Sequence, residues 1–147
     1  MSLYLVDTDI LTLVRHHNPT VLTAITNARN AGHTVGITVI SVEEQIDGWY
    51  KAIRAARTPT ELALAYRSLS ETVPVWAQFP IYPMTEPTID RFEQLVKLKL
   101  NVGRMDLRIA AIALEAGATA VTHNSRDFQR VPNLVAADWS IPPPANP

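Results

Sequence analysis

The chain has 147 residues, 47% apolar and 18% charged, with a formal net charge of −1 and no cysteine. That is the composition of one folded domain rather than a disordered segment, and it excludes disulfides, thiolate metal sites and cysteine nucleophiles. The near-neutral balance also argues against adhesion to nucleic acid through bulk charge, so a phosphodiester substrate would need its charge neutralised locally. No charged leader followed by an apolar run opens the chain, and no apolar run is long enough to span a bilayer; the expected location is the cytoplasm.

In chain order, Leu3–Val6 reads as a short buried strand ending at Asp7. Thr8 or Asp9 is placed to cap the helix that Ile10, Leu11 and Val14 begin. Asn18-Pro19 breaks that helix and starts a second, over 19–31, which Gly32 stops. Thr34–Thr38 reads as a second buried strand. Ser41 is expected to cap the next helix, with Glu44 as its capping-box partner. Thr58-Pro59 opens a helix running to about Trp76, and 81–83 is a short strand. Glu86-Pro87 begins a helix carrying Ile89, Phe92, Leu95 and Val96, which Asn101-Val102-Gly103 closes. A helix over 106–115 ends at Gly117, and 118–121 is a strand. Residues 134–136 form a last edge strand. The domain is expected over 1–140, and the proline-rich tail, 141–147, is expected to be disordered.

Short apolar strands alternating with helices predict an α/β fold with a parallel sheet between helices. Ligands bind such sheets beyond the carboxyl ends of the strands. Asp7 follows the first strand, Glu44 follows the second, and Thr122-His123-Asn124-Ser125-Arg126-Asp127 follows the strand over 118–121. Asp106 instead opens the helix that feeds that strand, which by topology alone leaves it at the opposite end of the sheet.

Carboxylates gathered in one cleft repel one another and raise each other's pKa values. A divalent cation relieves that penalty, and Mg²⁺ or Mn²⁺ takes oxygen ligands from one or two carboxylates together with substrate phosphate. Asp7, Glu44, Asp106 and Asp127 are therefore candidates for a metal-assisted phosphodiester hydrolysis. Each also has a plain structural reading. Asp7 could cap a helix, Glu44 could complete a capping box, Asp106 could favour a helix N-terminus, Asp127 could pair with Arg126 or Arg130, and Asn124 could make an Asx turn. Glu43 and Asp47 read as solvated helix residues. The four histidines lack metal-ligand spacing, and His123, the one near the candidate site, reads as a bystander.

Three blocks resemble the PIN-domain ribonucleases of the VapC toxin type: YLVDTDIL, ISVEEQIDG and GRMDLRIAAIALEAGATAVTHNSRDFQRVPNL, in family order over most of the chain. The last block is the most specific. The resemblance implies a PIN-like three-layer fold, with a central parallel sheet of four to five short strands flanked by helices. It also implies convergence of an acidic quartet, Mg²⁺ or Mn²⁺ binding, and endonucleolytic cleavage of RNA. Asp7 matches the family's first acid, with Thr8 as its polar neighbour. Ser41 three residues before and Gly48 four residues after select Glu44 over Glu43 as the central acid. Asp106 matches the acid opening the penultimate helix, and Thr122, Asn124, Asp127 and Phe128 match the final motif. Two departures stand out: His123 lies between the threonine and asparagine of that motif, and Gln45 follows the central acid where an apolar residue is common.

On this reading Asp7, Asp106 and Glu44 are the metal-site residues, and Asn124 and Asp127 complete the catalytic shell. Thr8, Thr122 and Ser125 support the network, and Arg104, Arg108 and Arg126 are candidate RNA contacts. The resemblance further implies a VapB-like antitoxin covering the site and a homodimer, with the helices over 59–76 and 86–100 as candidate interfaces. Two rivals remain: a haloacid-dehalogenase-like phosphatase using Asp7 as nucleophile, and a PIN-fold binding module without activity. A phosphoenzyme on Asp7 would favour the first, and the lack of any metal response or RNA cleavage the second.

Overall fold

A computed structural model describes residues 1–145. Five strands, β1 (Leu3–Val6), β2 (Thr34–Thr38), β3 (Ile81–Tyr82), β4 (Thr119–Val121) and β5 (Ala136–Ala137), form one sheet in the order β3-β2-β1-β4-β5. Every pairing is parallel. The helices are α1 (Thr8–Arg15), α2 (Pro19–Asn30), α3 (Val39–Ala55), α4 (Pro59–Trp76), α5 (Glu86–Lys97), α6 (Arg104–Ala116) and α7 (Ser125–Phe128). They cover both faces of the sheet, as an all-parallel sheet requires, and this is the α/β architecture the sequence pattern implies.

Two apolar clusters flank the sheet. One gathers Leu5, Phe92, Leu107, Ile109, Ile112 and Phe128 under α5 and α6. The other gathers Val6, Ile10, Leu11, Val21, Ile37 and Val121 under α1 and α2. Successive strand residues point to opposite faces, so Leu5 and Val6 of the central strand serve one cluster each.

Five helices start on a side-chain cap from the residue before them. Asp7, Asn18, Thr38, Thr58 and Thr85 each accept a hydrogen bond from a first-turn backbone N–H. Two of these differ from the sequence expectation. Asp7, rather than Thr8 or Asp9, caps α1 by accepting from Ile10 N at 3.1 Å. Thr38, rather than Ser41, caps α3, accepting from Ser41 N at 3.2 Å. Ser41 and Glu44 therefore lie inside the helix, and there is no capping box: β2 runs into α3 with no loop, so the cap falls on the strand's last residue.

The closing strand is β5 at Ala136–Ala137 rather than 134–136, and α7 is a single turn that the sequence pattern does not announce. Residues 141–145 hold neither helix nor strand; the remainder of the expected tail, 146–147, lies outside the described residues. No helix among the described residues is long and apolar enough to cross a membrane.

One backbone contact is tight. A Cβ added at Gly36 of β2 would sit 2.8 Å from the Tyr82 ring and 3.0 Å from the Pro80 carbonyl oxygen. The carbonyl is held as the acceptor of Ile37 N at 3.0 Å, and the ring packs against the α5–α6 cluster. Gly36→Val is expected to destabilise the protein by about 1–3 kcal/mol through overpacking at the β2–β3 pairing, read as a lower urea midpoint with an unchanged slope.

Candidate active site

The acids sit where chain direction sends them. β1 delivers Asp7 at its carboxyl end, where Asp7 N donates to Val121 O at 2.8 Å and extends the ladder to β4. β2 passes directly into α3, which carries Glu44 on its second turn. β4 leads into Thr122, Asn124 and Asp127. Asp106 is the instructive case. α6 ends at Gly117, whose left-handed backbone (φ 66°) turns the chain straight back into β4. The helix therefore runs antiparallel to the strand it feeds, and its start, not its end, lies over the carboxyl ends of the strands. The topological objection to Asp106 is removed by helix direction, with no long loop needed.

The hydrogen bonds link these segments. The Asp7 carboxylate is buried, 4% exposed, and takes hydrogen bonds from Ile10 N and the Thr122 hydroxyl. Thr122 Oγ1 in turn accepts from Asn124 N at 2.8 Å. Asn124 Nδ2 donates to Asp127 Oδ2 at 2.7 Å, and Arg130 Nη1 approaches Asp127 Oδ1 at 3.3 Å. Thr8 Oγ1 lies 2.6 Å from Glu44 Oε1 and 3.1 Å from Ser41 Oγ. Thr8 thus ties α1 to the central acid, and the buried Ser41 stands behind it.

Electrostatics show the same convergence. Burial pushes the Asp7 carboxyl from 3.8 up to about 6; the bonds from Thr122 and Ile10 oppose this, while Asp9 and Asp106 add to it. Asp106 is also pushed from 3.8 to about 6, first by burial and then by the charges of Glu44, Asp127 and Asp9. Asp106 lies in the first turn of α6, whose dipole favours an ionised carboxylate. Burial and like charge outweigh that pull. Asp7, Glu44, Asp106 and Asp127 therefore share one field, and so does a fifth acid, Asp9, which the sequence reading treated only as a cap. Asp9 lies in the first turn of α1, two residues after the Asp7 cap, and its charge acts on both Asp7 and Asp106.

Among the described residues, no three His, Asp or Glu side chains are spaced to hold a metal ion among themselves. Of the candidate RNA-contacting arginines, Arg104 and Arg126 are exposed. Arg108 is half-buried, with its guanidinium over the Phe92 ring, 5.2 Å from the centroid, and its Nη1 3.2 Å from Met105 Sδ. Gln45 is also accounted for, since its Oε1 accepts from Trp76 Nε1 at 2.6 Å and joins α3 to α4.

No protein-family model matches the chain. It is 41% identical to Ribonuclease VapC2 of Rickettsia felis over 46 residues, 31% of this chain and 34% of that relative. That match spans about a third of the relative's length. Over 141 residues it is 25% identical to Ribonuclease VapC1 of Haemophilus influenzae strain R2866, covering 94% of this chain and 98% of the relative. Its fold matches a chain in the crystal structure of VapBC2 from Rickettsia felis bound to a DNA fragment from their promoter, with a TM-score of 0.77 at 22% identity. That match covers 93% of this chain and 98% of the other. The parallel five-stranded sheet and these likenesses agree on the fold: the chain has the α/β architecture of the VapBC2 chain it matches, and over nearly its whole length its sequence is similar to a VapC ribonuclease.

Proposed function

We propose that the protein is a metal-dependent endoribonuclease, the toxin of a VapBC-type toxin–antitoxin pair. The observation that carries this reading is the pair Asp7 and Asp106, both raised to about 6 by burial and shared negative charge. A buried carboxylate and a half-buried one in a field of further acids are a poor structural device and a good seat for a cation, which offsets the burial and repulsion that raise them. Mg²⁺ or Mn²⁺ fits this donor set, since such ions use one or two carboxylates and fill their remaining positions with water and phosphate. Asp7 and Asp106 would hold the ion, with Glu44 beside them. When bound, it supplies positive charge for the scissile phosphate and Lewis acidity at the reacting centre.

The chain's own groups do the rest. Glu44, fixed by the Thr8 hydroxyl, orients the attacking water and accepts its proton. Thr122 holds Asp7 in place, and the Asn124–Asp127 pair closes the outer shell of the acid cluster. Arg104 and Arg126, exposed at the rim, meet RNA phosphates and offset the acidic balance locally. Arg108 serves the α5–α6 packing on this reading, through its contact with Phe92. The decisive measurement is cleavage-end mapping on total RNA with Mg²⁺ and with chelator. Discrete new ends that vanish with chelator support the reading, and identical end profiles in the two conditions overturn it. Thr8→Val is expected to lower kcat by roughly 10- to 100-fold while leaving the melting temperature within a few degrees. The loss appears in kcat because Glu44 is loosened rather than removed.

The partner of such a toxin is a VapB-like antitoxin. Val39, Ile46 and Tyr50 are exposed along α3 and, with Val42, line a groove of about 480 Å³ rimmed by Glu43 and Asp47. An apolar antitoxin segment carrying arginine suits that groove, which shares Glu43 and Asp47 with a neighbouring depression lined by Glu44 and Met105. The homodimer surface is on α4, where Leu62, Leu64, Tyr66 and Val73 face outward. The α5 helix is less suited, since Phe92 and Leu95 are spent on the core and only Ile89 remains exposed along it.

A further inference from the structure

Beside the acid cluster lies a cavity of about 320 Å³ lined by Asp9, Leu13, Asn18, His123 and Ser140. None of these residues has a role in the mechanism above. The cavity adjoins the reacting centre: Asp9 acts on the charge of both Asp7 and Asp106, and His123 follows the threonine that holds Asp7. The volume accommodates a nucleobase with room for water.

Its lining is ordered for recognition. His123 is 67% exposed, yet its ring is held: Nδ1 lies 2.8 Å from Ser140 Oγ and 3.4 Å from Asp138 Oδ2. Asp138 is itself fixed, accepting from Ser140 N at 2.8 Å. An exposed aromatic ring held at one edge presents its face for stacking. Leu13 supplies an apolar surface. Asn18 spends its Oδ1 on capping α2, accepting from Val21 N at 3.1 Å, which leaves its Nδ2 group as a donor. Asp9 supplies two acceptor oxygens.

We propose that this cavity is a base-reading subsite for a guanine next to the scissile phosphate, an assignment that rests on the ribonuclease reading. Guanine alone among the four bases presents two adjacent N–H donors and a carbonyl acceptor on one edge. Asp9 would accept from N1–H and N2–H, Asn18 Nδ2 would donate to O6, and the His123 ring would stack on the base. Adenine and cytosine each offer one amino donor to that carboxylate, and uracil offers one imide N–H flanked by carbonyl oxygens that repel it.

The test is binding, measured by anisotropy on labelled pentaribonucleotides UUXUU, with X as G, A, C or U and EDTA present, so no turnover is needed. The expected result is roughly tenfold tighter binding of UUGUU than of UUAUU, in the range of one bidentate contact. In Asp9→Asn that ratio is expected to fall to about one, whatever happens to absolute affinity as a negative charge is removed. Equal binding of the four RNAs, binding of none, or a G/A ratio unchanged in Asp9→Asn would each overturn the assignment. Guanine-selective binding in a protein that cuts no RNA would leave the subsite standing and remove the nuclease reading. Cleavage without base preference would do the reverse.

Discussion

Asp7→Asn is expected to melt higher than the parent protein at about pH 7.5 without divalent cation, and to cut no RNA. The two effects have one cause. Asp7 is 4% exposed, and burial raises its carboxyl to about 6, so at neutral pH the fold holds an anion it would rather protonate. A shift from 3.8 to about 6 corresponds to roughly 3 kcal/mol of penalty when the group is ionised. Asparagine keeps the oxygen that accepts from Ile10 N and Thr122 and discards the charge. Part of the gain is lost because a neutral acceptor makes weaker hydrogen bonds. A net stabilisation of about 2 kcal/mol remains, equivalent to about 5 °C for a chain of this size. Cleavage is expected to fall by roughly 10³-fold or more, about 4 kcal/mol of barrier. Differential scanning fluorimetry and a labelled-RNA assay read the two halves. An inactive variant that melts lower would mean Asp7 is a structural cap; an active one would remove it from the chemistry.

The pH dependence of stability follows from the same pair. An acid whose folded pKa is raised is protonated in the native state while still ionised in the unfolded one, between about pH 4 and about pH 6. In that window the native state binds more protons, so stability falls as pH rises and is lowest, for these groups, above about pH 6. Burial is the first cause of both shifts, and Asp106, only half-buried, is the more screened by solvent, so Asp7 contributes the larger share. The urea midpoint with EDTA is therefore expected to be higher at about pH 5 than at about pH 7.5. Mg²⁺ should raise the midpoint at the higher pH and do little at the lower one, where protons occupy its ligands. A midpoint that climbs with pH in EDTA would contradict the assignment of Asp7 and Asp106 as the strained pair.

Punctuating residues made much of the fold legible from sequence. Asn18-Pro19 and Thr58-Pro59 mark helix starts that the structure places at Pro19 and Pro59, and Gly117 marks the end of α6. Periodicity located β1 and β2 because their buried residues are contiguous and apolar. It failed where burial is partial: Ala136 and Ala137 of β5 are half-buried, while neighbouring Val135 is 63% exposed, so apolar character pointed two residues too early. The single turn of α7 depends on the burial of Phe128, a tertiary contact no local pattern encodes. In the site, residue types suggested four acids but not their mutual placement, which depends on α6 running back along β4. Asp9 reads in sequence as a cap and His123 as a bystander because neither segment alone shows that the two line one cavity.

The order of strands has a consequence for how the protein is made. β1, the earliest of the five strands along the chain, occupies the middle of the sheet, between β2 and β4. Its second neighbour is more than a hundred residues downstream, and Asp7 N waits for Val121 O to complete its hydrogen bonding. Closing so long a loop is slow, and it cannot begin until the far strand has left the ribosome. The four acids come together only then, since Asp106 and Asp127 bracket that same strand. A nascent chain that has not yet delivered β4 thus lacks half of its acidic cleft, and the cleft exists only once that strand has paired with β1.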